Sequence, residues 1–165
     1  MQASRQSTQS MVALVVALAL CFAALSIGGA LTRPNLDWYA TLTKPGFAPP
    51  YSVFPIIWPI LYALTALAAW LAWRAPGKDE DRKLAMFWFF IQLAVGTLWS
   101  VAFFWLHSPA YGLAVILAYL AAIALTIVFF DRLSRAAALL LIPLLLWVWF
   151  ATGLNFAIWF LNRGT

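Results

Sequence analysis

The chain has 165 residues, 65% of them hydrophobic and only 9% charged, with ten tryptophans and a formal net charge of +5. A soluble domain carries roughly 25% charged residues, so this much apolar surface requires the bilayer as solvent and excludes a water-soluble protein. The positive charge does not indicate nucleic acid, because the basic residues lie in short links between apolar runs. The lone Cys21 excludes an intramolecular disulfide and a cysteine-based metal site.

Five runs contain no Asp, Glu, Lys or Arg: residues 11–31, 53–73, 84–106, 111–130 and 137–161. Each holds at least 20 residues, hence about 30 Å of helix, enough to cross the hydrocarbon core. The expected fold is an all-α integral membrane protein. A short polar tail at 1–10 precedes one five-helix transmembrane bundle over residues 11–163. Arg5 before the first run and "SIGGA" near its end also fit a cleaved signal peptide. The apolar stretch is longer than the usual ~7–15 residues, so a retained span is the preferred reading.

The segment after the first run is the most irregular. "WYATLTKPGFAPPYSVFPIIWPILY", from Trp38 to Tyr62, holds five prolines and a single lysine. Within the second run Pro55, Trp58, Pro59, Tyr62, Thr65, Ala66 and Ala69 share a helical face. Pro59 cannot donate to the carbonyl of Pro55, which predicts a kinked or loosened helix there. The "KDEDRK" link at 78–83 reads as a solvated loop of alternating charge.

In the third run Gln92, Gly96, Trp99, Ser100 and Phe103 share a face, and in the fifth Pro143, Trp147, Ala151, Asn155 and Trp159 recur every four residues. Gln92 and Asn155 are amides at membrane depth, so both are expected to face the bundle interior, either as interhelical glue or toward a ligand. Trp70, Trp73 and Trp105 fit interfacial anchors. Trp58, Trp99 and Trp147 lie deeper or on the polar stripes, where anchoring explains less. Together these features predict a cavity walled by indoles, suited to a large, flat, apolar molecule.

No acidic or basic residue falls within the five runs, which argues against ion- or proton-coupled transport. The only histidine, His107, lies at an interfacial end without a companion Cys, Asp or Glu and reads as a polar interfacial residue. No GxSxG, HExxH, CxxC or P-loop pattern occurs, so neither an enzyme nor a fixed cofactor or metal is expected.

"WYATLTKP…PP…VFPIIWPILY", "QLAVGTLW…FF" and "IPLLLWVWFATGLNFAIWFLNR", in that order on five apolar runs, resemble the translocator protein family. It is also known as the peripheral-type benzodiazepine receptor or tryptophan-rich sensory protein (TspO/MBR) family. The resemblance spans nearly everything from Gly28 to Arg163. It implies a five-helix bundle, commonly a homodimer, with a cavity closed by the long first loop. It also implies ligands such as porphyrins and haem-pathway intermediates, sterols in animals, and synthetic isoquinoline carboxamides and benzodiazepines.

Carried over, residues 32–52 form a lid containing Tyr39, Lys44, Pro45, Pro49 and Pro50, anchored by Trp38 and Tyr39. Trp58, Tyr62, Trp147 and Ala151 line the cavity with Asn155 below them; the stripe and lid residues Trp38, Gln92 and Trp99 complete the expected ligand-binding set. Several positions depart from the family pattern. Gly46-Phe47 stands for Trp-Trp or Ser-Trp in the lid, Gly96 for an asparagine, and Leu144 for a tyrosine. Phe156 replaces the tyrosine of the animal sterol motif. The expected function is a membrane receptor or carrier for tetrapyrroles or similar flat ligands. Tryptophan-assisted, light- and oxygen-dependent porphyrin degradation is the alternative.

Seven basic residues (Arg5, Arg74, Lys78, Arg82, Lys83, Arg132 and Arg135) fall on one side of the membrane and three (Arg33, Lys44 and Arg163) on the other. The positive-inside rule then places the N-terminus in the cytoplasm and the C-terminus outside, in a bacterial cell membrane. A cytoplasm-active reporter inserted near Lys78 should be active and one fused after Thr165 silent. The reverse pattern overturns this orientation.

Overall fold

The structure, a computed structural model, describes residues 2–164, with side chains from Thr8 onward; Arg5 of the basic count therefore lies outside the described side chains. The chain forms α1 (Gln2–Thr32), α2 (Leu36–Thr41), α3 (Phe54–Arg74), α4 (Asp79–Ser100), α5 (Pro109–Asp131), α6 (Arg135–Leu140) and α7 (Ile142–Asn162). Five helical segments among the described residues are long and apolar enough to span a membrane, with α6 and α7 together making the last. Helical backbone runs back to Gln2, through most of what reads as a polar tail.

Local sequence sets the helix ends. Pro34 falls just beyond α1, where a proline cannot continue the helix. Asp79, Glu80 and Asp81 occupy the first turn of α4, where carboxylates favour the positive end of the helix dipole. For this reason α4 starts five residues before its apolar run. Ser108 and Ser134 cap α5 and α6 by accepting from the amides of Tyr111 and Ala137, each at 3.3 Å. Pro143 lies in the first turn of α7, which accounts for the single-residue break at Leu141.

Two stretches differ from the sequence expectation. The backbone of α3 stays α-helical through Pro59. The missing donor affects only the carbonyl of Pro55, in the helix's first turn, so the loss is confined to one end. The third span does not end as an α-helix. After Ser100 it widens into a π turn over Val101–Trp105, where the amide of Leu106 donates to the carbonyl of Val101 at 2.9 Å. His107 then takes a left-handed backbone, φ 50°, and ends the span.

Around the bundle α1 packs on α3 and α4, α4 on α5, α5 on α6 and α7, and α6 on α3. Small residues allow close approach on the α3–α6 side, where Ala66, Ala69 and Ala72 are buried together with Ala137 and Ala138. The "KDEDRK" segment is more than a solvated link. Arg82 donates to the carbonyls of Trp73 at 3.1 Å and Ala75 at 2.8 Å, and pairs with Asp79 at 2.7 Å, so it caps the end of α3.

Gly112, near the start of α5, is the tightest junction beside the site. A Cβ there would lie 2.7 Å from the ring of Phe103 and 3.0 Å from Oδ1 of Asn155. Gly112→Ala should cost about 1–3 kcal/mol through overpacking. Gly153, with open space around it, is the control, and Gly153→Ala should be neutral or slightly stabilising. Thermal unfolding in detergent checks both, and equal effects would overturn the junction.

Candidate ligand-binding cavity

A cavity of about 430 Å³ lies inside the lid end of the bundle, within the usual size range for small-molecule sites. α1, α3, α4 with its π turn, and α7 each contribute wall, and the segment between α1 and α3 contributes Tyr39 and Tyr51. Of the residues singled out in the sequence, Trp58, Tyr62, Trp99, Ala151 and Asn155 line it. Trp38, Gln92 and Trp147 do not.

Trp147 lies one ring back from the cavity. It packs edge-on against Trp58, centroids 6.4 Å apart, and against Phe54 at 5.9 Å. Its indole Nε1 is buried without a hydrogen-bond partner among the described residues. Helical spacing puts Trp147 on the same stripe as Ala151, but spacing cannot show that its ring packs against Trp58 and Phe54 without reaching the cavity wall.

Gln92 is buried below the cavity, and neither of its amide atoms has a partner among the described residues. Gly96, one turn along, brings Tyr119 of α5 into that layer; a Cβ there would lie 2.9 Å from the Tyr119 ring. Tyr119 and Tyr62 are both buried. The amide missing at Gly96, relative to the family pattern, is thus replaced by a tyrosine from another helix. Nothing in the local sequence around Gly96 signals that substitution.

Asn155 has a structural role. Its Oδ1 accepts from the indole Nε1 of Trp99 at 3.0 Å, and its Nδ2 donates to the carbonyl of Pro109 at 2.8 Å. It thereby ties α7 to α4 and to the start of α5. Trp99 stacks on Phe103, centroids 5.3 Å apart, and Phe104 lies edge-on to both. The π turn lets Phe103 and Phe104, adjacent in sequence, both be buried.

The 32–52 segment is fastened at several points. Trp38 stacks on His107 at 4.6 Å and meets Phe103 edge-on at 5.7 Å, outside the cavity and beside a second recess of about 250 Å³. His107 pairs with the side chain of Asn35 at 2.7 Å. Asn162 of α7 holds the backbone of Thr43 in both directions, accepting from its amide at 3.0 Å and donating to its carbonyl at 2.9 Å.

Lys44 folds back on the carbonyl of Leu42 at 3.1 Å and over the ring of Tyr39. Pro45 accepts from Ala48 at 3.0 Å and Pro50 from Val53 at 3.0 Å, so these prolines shape turns without needing donors of their own. Pro49 is half-buried between them. Phe47 is 57% exposed and touches only the edge of Phe150 among the ring contacts. Phe104 also lines the cavity, and Asn162 and Tyr119 belong to the site's support; none was singled out from sequence, the last two because their partners are distant in the chain.

Asn155→Leu removes both hydrogen bonds and strands the Trp99 N–H, at a cost of about 1–3 kcal/mol, or roughly 2–12 °C in Tm. Combining it with Trp99→Phe should cost less than the sum of the single changes, because one partner's loss already breaks the bond. Strict additivity in a double-mutant thermal cycle would overturn the pairing.

The TspO/MBR family profile matches residues 15–160. The chain is 43% identical over 125 residues to the tryptophan-rich protein TspO of Archaeoglobus fulgidus, covering 76% of this chain and 80% of that one. It is 40% identical over 152 residues to the tryptophan-rich protein TspO of Chlorobaculum tepidum, covering 90% and 95% respectively. It is 33% identical over 131 residues to the human translocator protein, covering 79% and 78%. A five-span bundle with a match over almost its whole length leaves a single conclusion: this multi-pass integral membrane protein belongs to the TspO/MBR family.

Proposed function

We propose that the protein is a membrane receptor or carrier that binds a tetrapyrrole, or a similarly flat apolar molecule, in the cavity under the 32–52 lid. The observation that supports this most directly is the cavity itself, about 430 Å³ and walled by Trp58, Trp99 and Phe103. Indole and phenyl faces offer a flat π-system large contact areas at low cost in side-chain entropy. The names of the relatives, translocator protein and tryptophan-rich protein, agree with carriage or sensing. In this reading the ligand leaves chemically unchanged, no fixed cofactor is needed, the protein works as a homodimer, and the N-terminus faces the cytoplasm of a bacterial cell.

Ala151 is the most direct probe. It lines the cavity and is itself buried, so its methyl marks how close the wall of α7 comes to a bound ring. Ala151→Thr should weaken porphyrin binding by about 1–3 kcal/mol, roughly 5- to 150-fold in Kd. The helix itself should survive, because Thr152 beside it already bonds its hydroxyl back to the carbonyl of Val148 at 2.8 Å. Trp149, 69% exposed on the outer face of α7, is the control, and Trp149→Leu should bind like the parent. Saturable quenching of intrinsic fluorescence by protoporphyrin, with the protein in lipid nanodiscs, measures both. Non-saturable quenching, or loss of binding in Trp149→Leu with none in Ala151→Thr, overturns the proposal, and multiple-turnover product formation overturns its non-enzymatic part.

A further inference from the structure

The cavity wall carries one formally charged side chain, Arg33, at its rim beyond the end of α1. No carboxylate lines the cavity. The two other basic residues on the lid side are engaged elsewhere. Lys44 donates to the carbonyls of Ala40 and Leu42 and lies over Tyr39, and Arg163 stacks on Phe160 at 3.9 Å. The guanidinium of Arg33 makes no hydrogen bond, ion pair or ring contact among the described residues. Asp37, one helical turn along and the only acidic residue on the lid side, forms no ion pair with it.

Arg33 is exposed at this rim, so its guanidinium is hydrated, and its donors, a rigid planar fork matched to a carboxylate, are open to an anion that a ligand brings. The rim position also suits the ligand. A carboxylate held there stays at the polar edge while the apolar body lies among the indoles, whereas a carboxylate deeper in the cavity would lose its hydration with no cation to meet it. Tyr39 and Tyr51, on the same wall, can add neutral hydrogen bonds.

We infer that Arg33 is a specificity residue that pairs with a carboxylate on the ligand, so that the cavity selects flat apolar acids over their neutral counterparts. This rests on reading the cavity as a ligand site, and it goes further by naming the ligand's charge and the residue that reads it.

Two matched pairs of probes test it: protoporphyrin IX against its dimethyl ester, and 1-pyrenebutyric acid against 1-pyrenebutanol. Each is titrated by fluorescence into the full chain in nanodiscs of zwitterionic lipid. In the parent protein the acid of each pair should bind up to about 5-fold tighter, the upper end for a solvent-exposed ion pair. Arg33→Gln should abolish that preference and leave the neutral member within about 2-fold, while Arg33→Lys should keep part of it. Asp37→Asn should bind the acids at least as tightly as the parent, since it removes a nearby negative charge.

If Arg33→Gln weakens acid and neutral probes alike, or the parent shows no preference, Arg33 does not read an anion and the inference is wrong. Porphyrins that bind saturably without acid preference overturn this inference and leave the tetrapyrrole reading standing. An Arg33-dependent preference in the pyrene pair alone supports the inference and overturns the tetrapyrrole reading. Failure of both pairs to bind overturns both.

Discussion

The side chain of Asn155 is the interaction on which the site depends. In hydrocarbon an amide without partners is costly, and here each of its ends is taken by a different helix, the Trp99 indole on α4 and the Pro109 carbonyl at the start of α5. Three helices are thereby fixed at one level. Gly112 is needed there because no side chain fits between Asn155 and Phe103. The orientation of Trp99 follows from the same bond, and with it the stacked face it shares with Phe103.

The cavity is a consequence of what this junction leaves unfilled. α3 packs closely on α6, through small residues, but has few neighbours along α7, and the space between them at the lid end is bounded by rings. The π turn places two consecutive phenylalanines inward, and a tethered segment lies across the end. That tether is made of a few contacts between distant parts of the chain: the amide of Asn162 on the Thr43 backbone, His107 on Asn35, and the ring of Trp38 over His107. Such contacts order a proline-rich strap without burying unsatisfied backbone, so it can be held in place while remaining outside the hydrophobic core. The cavity wall is apolar apart from a few hydroxyls and the Asn155 amide, and charge enters only at the rim.

The fold was largely legible in the sequence because the bilayer imposes a simple rule. Runs without charge and long enough to cross must be helices, and this alone yields the five spans of an all-α bundle. The stripe residues Trp58, Tyr62, Trp99 and Ala151 were also readable, since helical periodicity puts them on inward faces and all four lie on the cavity wall. Periodicity assigns a face but not a neighbour. Trp147 shares the stripe of Ala151, yet its ring packs against Trp58 without reaching the cavity wall, and Trp38 anchors the strap from outside the cavity. Gln92 faces inward as its polarity requires, but in a layer below the cavity.

By itself, then, the sequence determined the solvent, the number of spans, the inward stripes and the family, because each of these depends on composition, on period or on short ordered motifs. Only the tertiary structure decided which inward residues line the cavity. It decided that Asn155 is a clamp, that Tyr119 occupies the space at Gly96, that a π turn ends the third span, and that Arg33 is the cation at the rim. These outcomes depend on pairs of residues from different segments of the chain, separated by 46 residues for Asn155 and Pro109 and by 119 for Asn162 and Thr43. A local pattern holds no information about such pairs until the helices are packed.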